Sequence, residues 1–443
     1  MEILRVNPAV AACGGEAVPS RHAEEGSTDQ GLLERVLKRE NLQAALQRVK
    51  RNAGSAGVDG MTVAQLPGFL REHWPRLREE LLVGKYRPQP VRRHIIPKRG
   101  GGERQLGIPT VLDRFIQQAL LQVLQPLIDP TFSQGSFGFR PGRRAQDAVR
   151  RAQGYVQAGY RIVVDVDLEK FFDRVNHDIL MDRLRRHVTD GRVLRLVRGY
   201  LNAGIMAHGL VCERHEGTPQ GGPLSPLLAN VVLDEVDRAL ERSGHRFVRY
   251  ADDCNVYVRS QRAGERVLER LRRCYAGLRL KINEAKSAVA PVWQRTFLSF
   301  AFWNRQGETR RAVSKQAVAR YKERIRMLTR RSRGRSIEQV VEDLRAYVPG
   351  WKGYFHLAQT PGVFRGLDEW LRRRLRALYL KQWRHGSTMY RELTALGASD
   401  WQARNVAANS RCWWANSAKS INGVLTVAHF GRLGVPRLST CSS

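Results

Sequence analysis

Close cysteine pairs, a balancing stock of acids and long apolar runs are all missing from this 443-residue chain. Its six cysteines, Cys13, Cys212, Cys254, Cys274, Cys412 and Cys441, lie far apart, which argues against a zinc knuckle or a disulfide framework and suits a reducing cytoplasm. No apolar stretch approaches the roughly 20 residues of a spanning helix, so a membrane role is disfavoured. The opening MEILRVNPAVAACGG has no basic segment followed by a long apolar core, and no secretory signal is expected. Residues 1–30, with Gly14-Gly15, Pro19 and many small polar residues, are expected to form a mobile leader. Acids are outnumbered 42 to 75 by lysine and arginine, leaving a net charge of +33. That surplus exceeds what solubility needs and points to a polyanion, with nucleic acid first and an anionic membrane surface second.

What the chain does have is organised around Phe247 to Tyr257, FVRYADDCNVY. β-Branched and aromatic residues flank Ala251-Asp252-Asp253, so two adjacent carboxylates are expected at a hairpin tip. Aspartate is a common turn residue, and a solvated turn is the plain reading of such a pair alone. A second acidic site changes the balance. In RIVVDVDLEKFFD, Arg161 to Asp173, the apolar run Ile162-Val163-Val164 reads as a central strand that delivers Asp165 and Asp167 on one face. Adjacent acids repel, and hard oxygen donors suit Mg²⁺ better than zinc. Two such sites meeting in space would form a two-metal phosphoryl-transfer centre.

Pro90 to Pro109 reads as two strands around Pro97-Lys98-Arg99-Gly100-Gly101-Gly102-Glu103-Arg104. Glycines there permit close backbone approach, and the flanking cations suit phosphate oxygens, although a plain flexible hairpin has the same composition. Pro109 to Asp129 has the apolar face of a core helix. Gly217 to Pro226, GTPQGGPLSP, is a loop opening a helix, and its Gln220 amide can hydrogen-bond a nucleotide sugar or a template. From Arg305 to Arg335 there are 12 lysines and arginines against Glu308 and Glu323. Val313, Val318, Tyr321, Ile325 and Leu328 among them predict a basic helix lying on nucleic acid. Tryptophans 351, 370, 383, 401, 413 and 414 recur among the cations, where burial and base stacking are both open.

Taken together, Tyr250-Ala251-Asp252-Asp253, the DLEKFFD run from Asp167, GTPQGGPLSP and IPKRGGGERQLGIP, Ile96 to Pro109, resemble bacterial group II intron reverse transcriptases, also called intron-encoded maturases. The resemblance runs from about Leu32 to Leu438. It implies an α+β fold, a right-hand polymerase with fingers and palm over 31–303, an α-helical thumb or maturase X domain over 304–385 and a small DNA-binding region over 386–443. It implies Mg²⁺ held by Asp167, Asp252, Asp253 and the Leu168 carbonyl. Lys98 and Arg104 are then expected to clamp a triphosphate, Phe172 to sit under the nucleotide sugar, and Gln220 to contact nucleotide or template. Arg140, in Phe139-Arg140-Pro141-Gly142, is expected along the template path, Lys286 near the active site, and Phe297 and Leu298 in the hairpin that holds the primer. The family usually carries histidine at the position of Gln146 and glycine at that of Ser299.

The implied partners are group II intron RNA, an RNA template with a DNA primer, target DNA and deoxynucleoside triphosphates, in the cytoplasm at the nucleoid. The implied activity is RNA-directed DNA synthesis during retrohoming, together with help in splicing. The final segment lacks the Cys-x-x-Cys pairs and clustered histidines of an HNH nuclease, so no endonuclease of its own is expected. A non-enzymatic RNA chaperone, and a polymerase recruited to defence or spacer acquisition, are the alternatives.

Overall fold

The computed structural model describes residues 31–97, 103–207, 210–212, 216–218, 221–330, 334–418 and 421–439. The expected leader, Lys98 and Gln220 lie outside the described residues, as does the side chain of Arg104. Two compact units part between Pro291 and Val292.

Among the described residues the first unit has the strands β1 Val91–Pro97, β2 Glu103–Ile108, β3 Ile162–Val166, β4 Ile205–Ala207, β5 Leu210–Cys212, β6 Arg246–Tyr250, β7 Asp253–Val258 and β8 Ala288–Pro291. One sheet has the order β2-β1-β4-β5, in which only β1 and β4 run parallel. The other, β6-β7-β3-β8, is antiparallel throughout. The alternation of β3 sends Val164 and Val166 into the main core, with Cys254, Val256 and Val258 of β7 on the same face, and leaves Asp165 and Asp167 on the other. Helix Gln261–Gly277 presses on the core face so closely that a Cβ on Gly264 would come within 2.3 Å of Val289 Cγ1. Helix Val111–Ile128 is the buried centre of this unit, and Thr110 caps it by accepting from the Asp113 N–H at 3.0 Å. The apolar pattern of residues 31 to 50 predicts one helix, but the chain forms two, Leu32–Val36 and Arg39–Asn52, because Lys38 is extended and caps the second.

The second unit opens with a small sheet, β9 Thr296–Phe297, β10 Phe300–Arg305 and β11 Glu308–Val313, ordered β11-β10-β9. The basic run from Arg305 is therefore not a single helix. Gln306 and Gly307 both have positive φ (52° and 83°) and make a two-residue hairpin turn, so the first six residues of the stretch after it pair with β10. The helix begins only at Lys315, where the Ser314 side chain accepts from Ala317 N–H, and it ends at Leu328. Helices Ile337–Tyr354, Pro361–Trp383, Gly386–Ala395, Asp400–Ala408 and Val427–Arg432 follow. Residues from Tyr321 to Leu438 share one apolar core, so residues 386 onward pack into the same core as the helices before them. Buried Asp368 ties the late segment in, accepting from Leu438 N–H and Ser439 N–H, each at 2.9 Å. Among the described residues no helix is long and apolar enough to cross a membrane.

Candidate catalytic site

Two strands that leave the core together position the acids. Asp165 pairs with Asn255 and Val166 with Cys254, where the ladder ends, so Asp167 follows β3 at the same end of the sheet at which Asp253 opens β7. Tyr250 pairs with Asp253, so Ala251 and Asp252 form the turn, with Ala251 at φ 57°. The turn rests on a loop from elsewhere in the chain: a Cβ on Gly138 would lie 2.2 Å from Ala251 N. Only glycine lets the two backbones meet this closely.

The segment after helix Gln261–Gly277 wraps the Asp167 bend. Asn283 N–H donates to Asp167 O at 2.8 Å, Asp167 N–H donates to Ser287 Oγ at 3.0 Å, and Asn283 Nδ2 donates to Asp167 Oδ2 at 3.2 Å. Lys286 Nζ is 3.2 Å from the same carboxylate oxygen. Leu168 bridges to Ile282, but the flanking bonds run from Glu169 N–H to Lys281 O and from Asn283 N–H to Asp167 O, neither of which uses the Leu168 carbonyl.

Desolvation by the surrounding protein, then the carboxylates of Asp252, Asp167 and Asp165, push the Asp253 carboxyl up to about 7, with Lys286 pulling the other way. The residue still reaches solvent on its open side. Such mutual repulsion among hard oxygen donors is the chemistry a divalent cation relieves. Among the described residues no three acids, histidines or cysteines are drawn together closely enough to hold an ion. The oxygen donors are of the kind that suits Mg²⁺, but they are not gathered around one point, and the Asp167 side chain is turned to Lys286 and Asn283.

Phe172 is half-buried and meets the buried Phe171 edge to face, with centroids 5.1 Å apart. Its carbonyl accepts from Thr218 N–H at 2.7 Å, and Val175 O accepts from Gly217 N–H at 2.7 Å. His177 Nε2 is 2.7 Å from Gly217 O. The start of the GTPQGGPLSP loop is therefore locked to the turn that carries Phe172. On its far side a Cβ at Gly221 would lie 2.6 Å from Gly107 O of β2, so the loop spans from the acidic sheet to the other sheet.

Arg140 does not reach outward along a template path. Its side chain is buried, with Nε 2.9 Å from Asp129 Oδ1 and Nη1 donating to the carbonyls of Ser133 at 2.6 Å and Ser136 at 3.1 Å. The outward side chains of that motif are Phe139, 44% exposed, and Pro141. Gln146 is buried.

Phe297 and Leu298 belong to the second unit. Phe297 is buried, and Leu298 and Ser299 form the β9–β10 turn with φ 48° and 67°. Glycine at position 299 has a physical reason in that positive φ. Tyr354 Oη donates to Leu298 O at 3.0 Å and Arg320 Nη2 to Ser299 Oγ at 3.0 Å, which hold the turn. The tryptophans divide by position. Trp351 packs among Tyr321, Phe355 and Phe364, Trp370 lies under Lys322, Arg326 and Arg374 at 5.4–5.7 Å, and Trp401 is 74% exposed.

Residues 96–302 match the family model "Reverse transcriptase (RNA-dependent DNA polymerase)", and residues 318–397 match "Group II intron, maturase-specific domain". The chain belongs to the group II intron reverse transcriptase/maturase family. It is similar to Protein YkfC of Escherichia coli K12, 39% identical over 43% of this chain and 51% of that protein. The group II intron-encoded protein LtrA of Lactococcus lactis subsp. cremoris is 33% identical over 49% of this chain and 36% of its own length. The matched stretches thus span about half or less of these relatives. Among solved structures, a chain of a partial Cas6-RT-Cas1–Cas2 complex aligns with TM-score 0.37 at 25% identity, over 59% of this chain and 46% of that one.

Sequence reasoning about this maturase-family chain missed the residues that hold the acids. Asn283 and Ser287 sit in the INEAKS stretch from which only Lys286 was singled out. Arg249, next to the YADD residues, is wholly buried on Asp237. A charge inside an otherwise apolar strand was the available signal.

Proposed function

We propose that the chain is an RNA-directed DNA polymerase that copies group II intron RNA during retrohoming and assists the splicing of that intron. Fingers and palm occupy 31–303, the thumb or maturase X domain 304–385, and a DNA-binding region 386–443. The observation that carries the reading is the pairing of β3 with β7 up to Val166 and Cys254, which brings Asp167 and Asp253 to one end of the sheet, with Asp252 in the adjoining turn and Lys286 3.2 Å from Asp167.

Asp167, Asp252, Asp253 and the Leu168 carbonyl are the residues that would hold Mg²⁺. Bound there, the ions would lower the pKa of a primer 3′-hydroxyl and neutralise the departing oxygen. The 3′-oxygen bonds to the α-phosphorus of a deoxynucleoside triphosphate as the bond to the bridging oxygen breaks, and pyrophosphate leaves. Phe172 supports the sugar from below, and Gln220 and the cations Lys98 and Arg104 orient the nucleotide. Lys286, until an ion competes for Asp167, holds that carboxylate in place. Intron RNA, the RNA template with its DNA primer and target DNA are bound by the basic surface, which carries the net charge of +33.

The test is primer extension on poly(rA) with oligo(dT). Asp252→Ala and Asp167→Asn should lower the rate about a hundredfold to a thousandfold without loss of RNA binding. Wild-type protein that binds RNA and extends no primer would leave an RNA chaperone as the better account.

A further inference from the structure

Arg249 is the largest side chain with no exposure at all, and it stands one residue before the YADD tetrapeptide. All five guanidinium N–H groups find acceptors. Nε lies 2.8 and 3.0 Å from the two Asp237 oxygens, and Nη2 donates to Asp237 Oδ2 at 2.6 Å and Ser136 Oγ at 2.9 Å. Nη1 donates to Asn230 Oδ1 and to the Ala251 carbonyl, both at 2.9 Å. Asn230 in turn donates from Nδ2 to Gly138 O at 2.9 Å, and Gly138 is the residue on which Ala251 rests. The Arg249 backbone is held as well, its N–H by Gly135 O at 2.8 Å and its carbonyl by Phe137 N–H at 2.9 Å.

A buried ion pair is an expensive way to gain stability, since apolar residues of the same volume usually do as well. What this one does that apolar residues would not is grip the carbonyl of Ala251, the residue whose positive φ directs the chain into Asp252 and Asp253. Asp237 and Asn230 both lie on helix Ser225–Arg242, which begins at the end of the GTPQGGPLSP loop. One rigid helix therefore references the acidic turn to that loop.

We infer that Arg249, oriented by Asp237 and Asn230, is a positioning residue that fixes the Ala251–Asp252–Asp253 turn relative to the loop at 217–226. It touches no reacting atom and acts through the backbone of the turn. For its consequence in catalysis this rests on the polymerase reading above.

Hydrogen–deuterium exchange of the full chain, followed at residues 250–254 and at β3 as an internal reference, tests it in Asn230→Ala, Ser136→Ala and Arg249→Lys. Losing one buried hydrogen bond, as in Ser136→Ala, should speed exchange at the turn about tenfold, losing more should speed it further, and β3 should be unchanged. The Mg²⁺ concentration for half-maximal primer extension should rise by a similar factor, with Arg249→Lys, which keeps the charge but only three donors on a compact head, rising at least as far as Asn230→Ala, which leaves the Ala251 contact in place. Ser136→Ala, which removes a single contact, carries the test if the other variants fail to fold. Unchanged exchange at the turn, or equal acceleration at the turn and β3, overturns the inference and reduces the network to a stability element. Faster exchange at the turn with an unmoved Mg²⁺ requirement also overturns its functional half. Should wild-type protein extend no primer at all, the polymerase reading falls, while the exchange comparison still decides what Arg249 does.

Discussion

Asp253 carries the residue-scale conflict between folding and function. Its carboxyl is raised to about 7, so in metal-free protein it favours the neutral form and its ionisation opposes folding. Stability is therefore lost as pH rises from the ordinary aspartate range, near 4, to about 7, and is level on either side. Asp253→Asn should raise the melting temperature in EDTA at pH 8 and leave it unchanged at pH 3, as calorimetry would register. A rise of equal size at both pH values would show that charge is not the cause. Ser299 is a second such position. With φ at 67° it pays a left-handed penalty that glycine avoids, so Ser299→Gly should stabilise the protein by about 1 kcal/mol, less what the exposed Arg320 contact contributes. Urea titration at fixed temperature would measure it. The acids were legible as residues because like-charged pairs at strand ends are chemically conspicuous, whereas Lys286 came from the resemblance alone. Arg140 was placed on the template path by the resemblance alone, and only the fold brings Asp129 to its buried guanidinium.

At the scale of elements, the hairpin that bears Asp252 and Asp253 depends on its neighbours for its shape. Gly138→Ala would place a methyl group 2.2 Å from Ala251 N, with backbone on both sides and no flexible side chain to yield. The turn must shift or the loop must lift, at a cost of about 1–3 kcal/mol. Primer extension should fall far more than the melting temperature would suggest. Extension that stays within twofold of wild type would mean that the turn tolerates the shift. Strands β3, β6 and β7 could be read from short runs of apolar and β-branched residues, which in β6 and β7 are buried on both faces. Strand β11 could not, because GETRRAV carries the cations of a nucleic-acid-facing helix. Its sheet identity comes from the Gln306-Gly307 turn and from pairing with β10, a non-local fact. The break between helices at Lys38 was hidden for a similar reason: leucine spacing continues through it.

For the whole molecule, the net charge of +33 makes RNA binding a salt-dependent quantity. If six to ten phosphates are neutralised, affinity should drop by about 10³–10⁵ between 50 and 200 mM salt, as filter binding would record. A shallow salt dependence would mean that the charge is spent elsewhere. The hold of Asp368 on Leu438 and Ser439 has a further consequence, this time in the order of events during synthesis. The two partners are 70 residues apart, so at 5–20 residues per second the ribosome needs about 4–14 s to travel from one to the other. Throughout that interval helix Pro361–Trp383 waits with a buried carboxylate unclaimed and part of its apolar face uncovered. The first unit, whose sequence is by then fully translated, is free to fold well before the second can close.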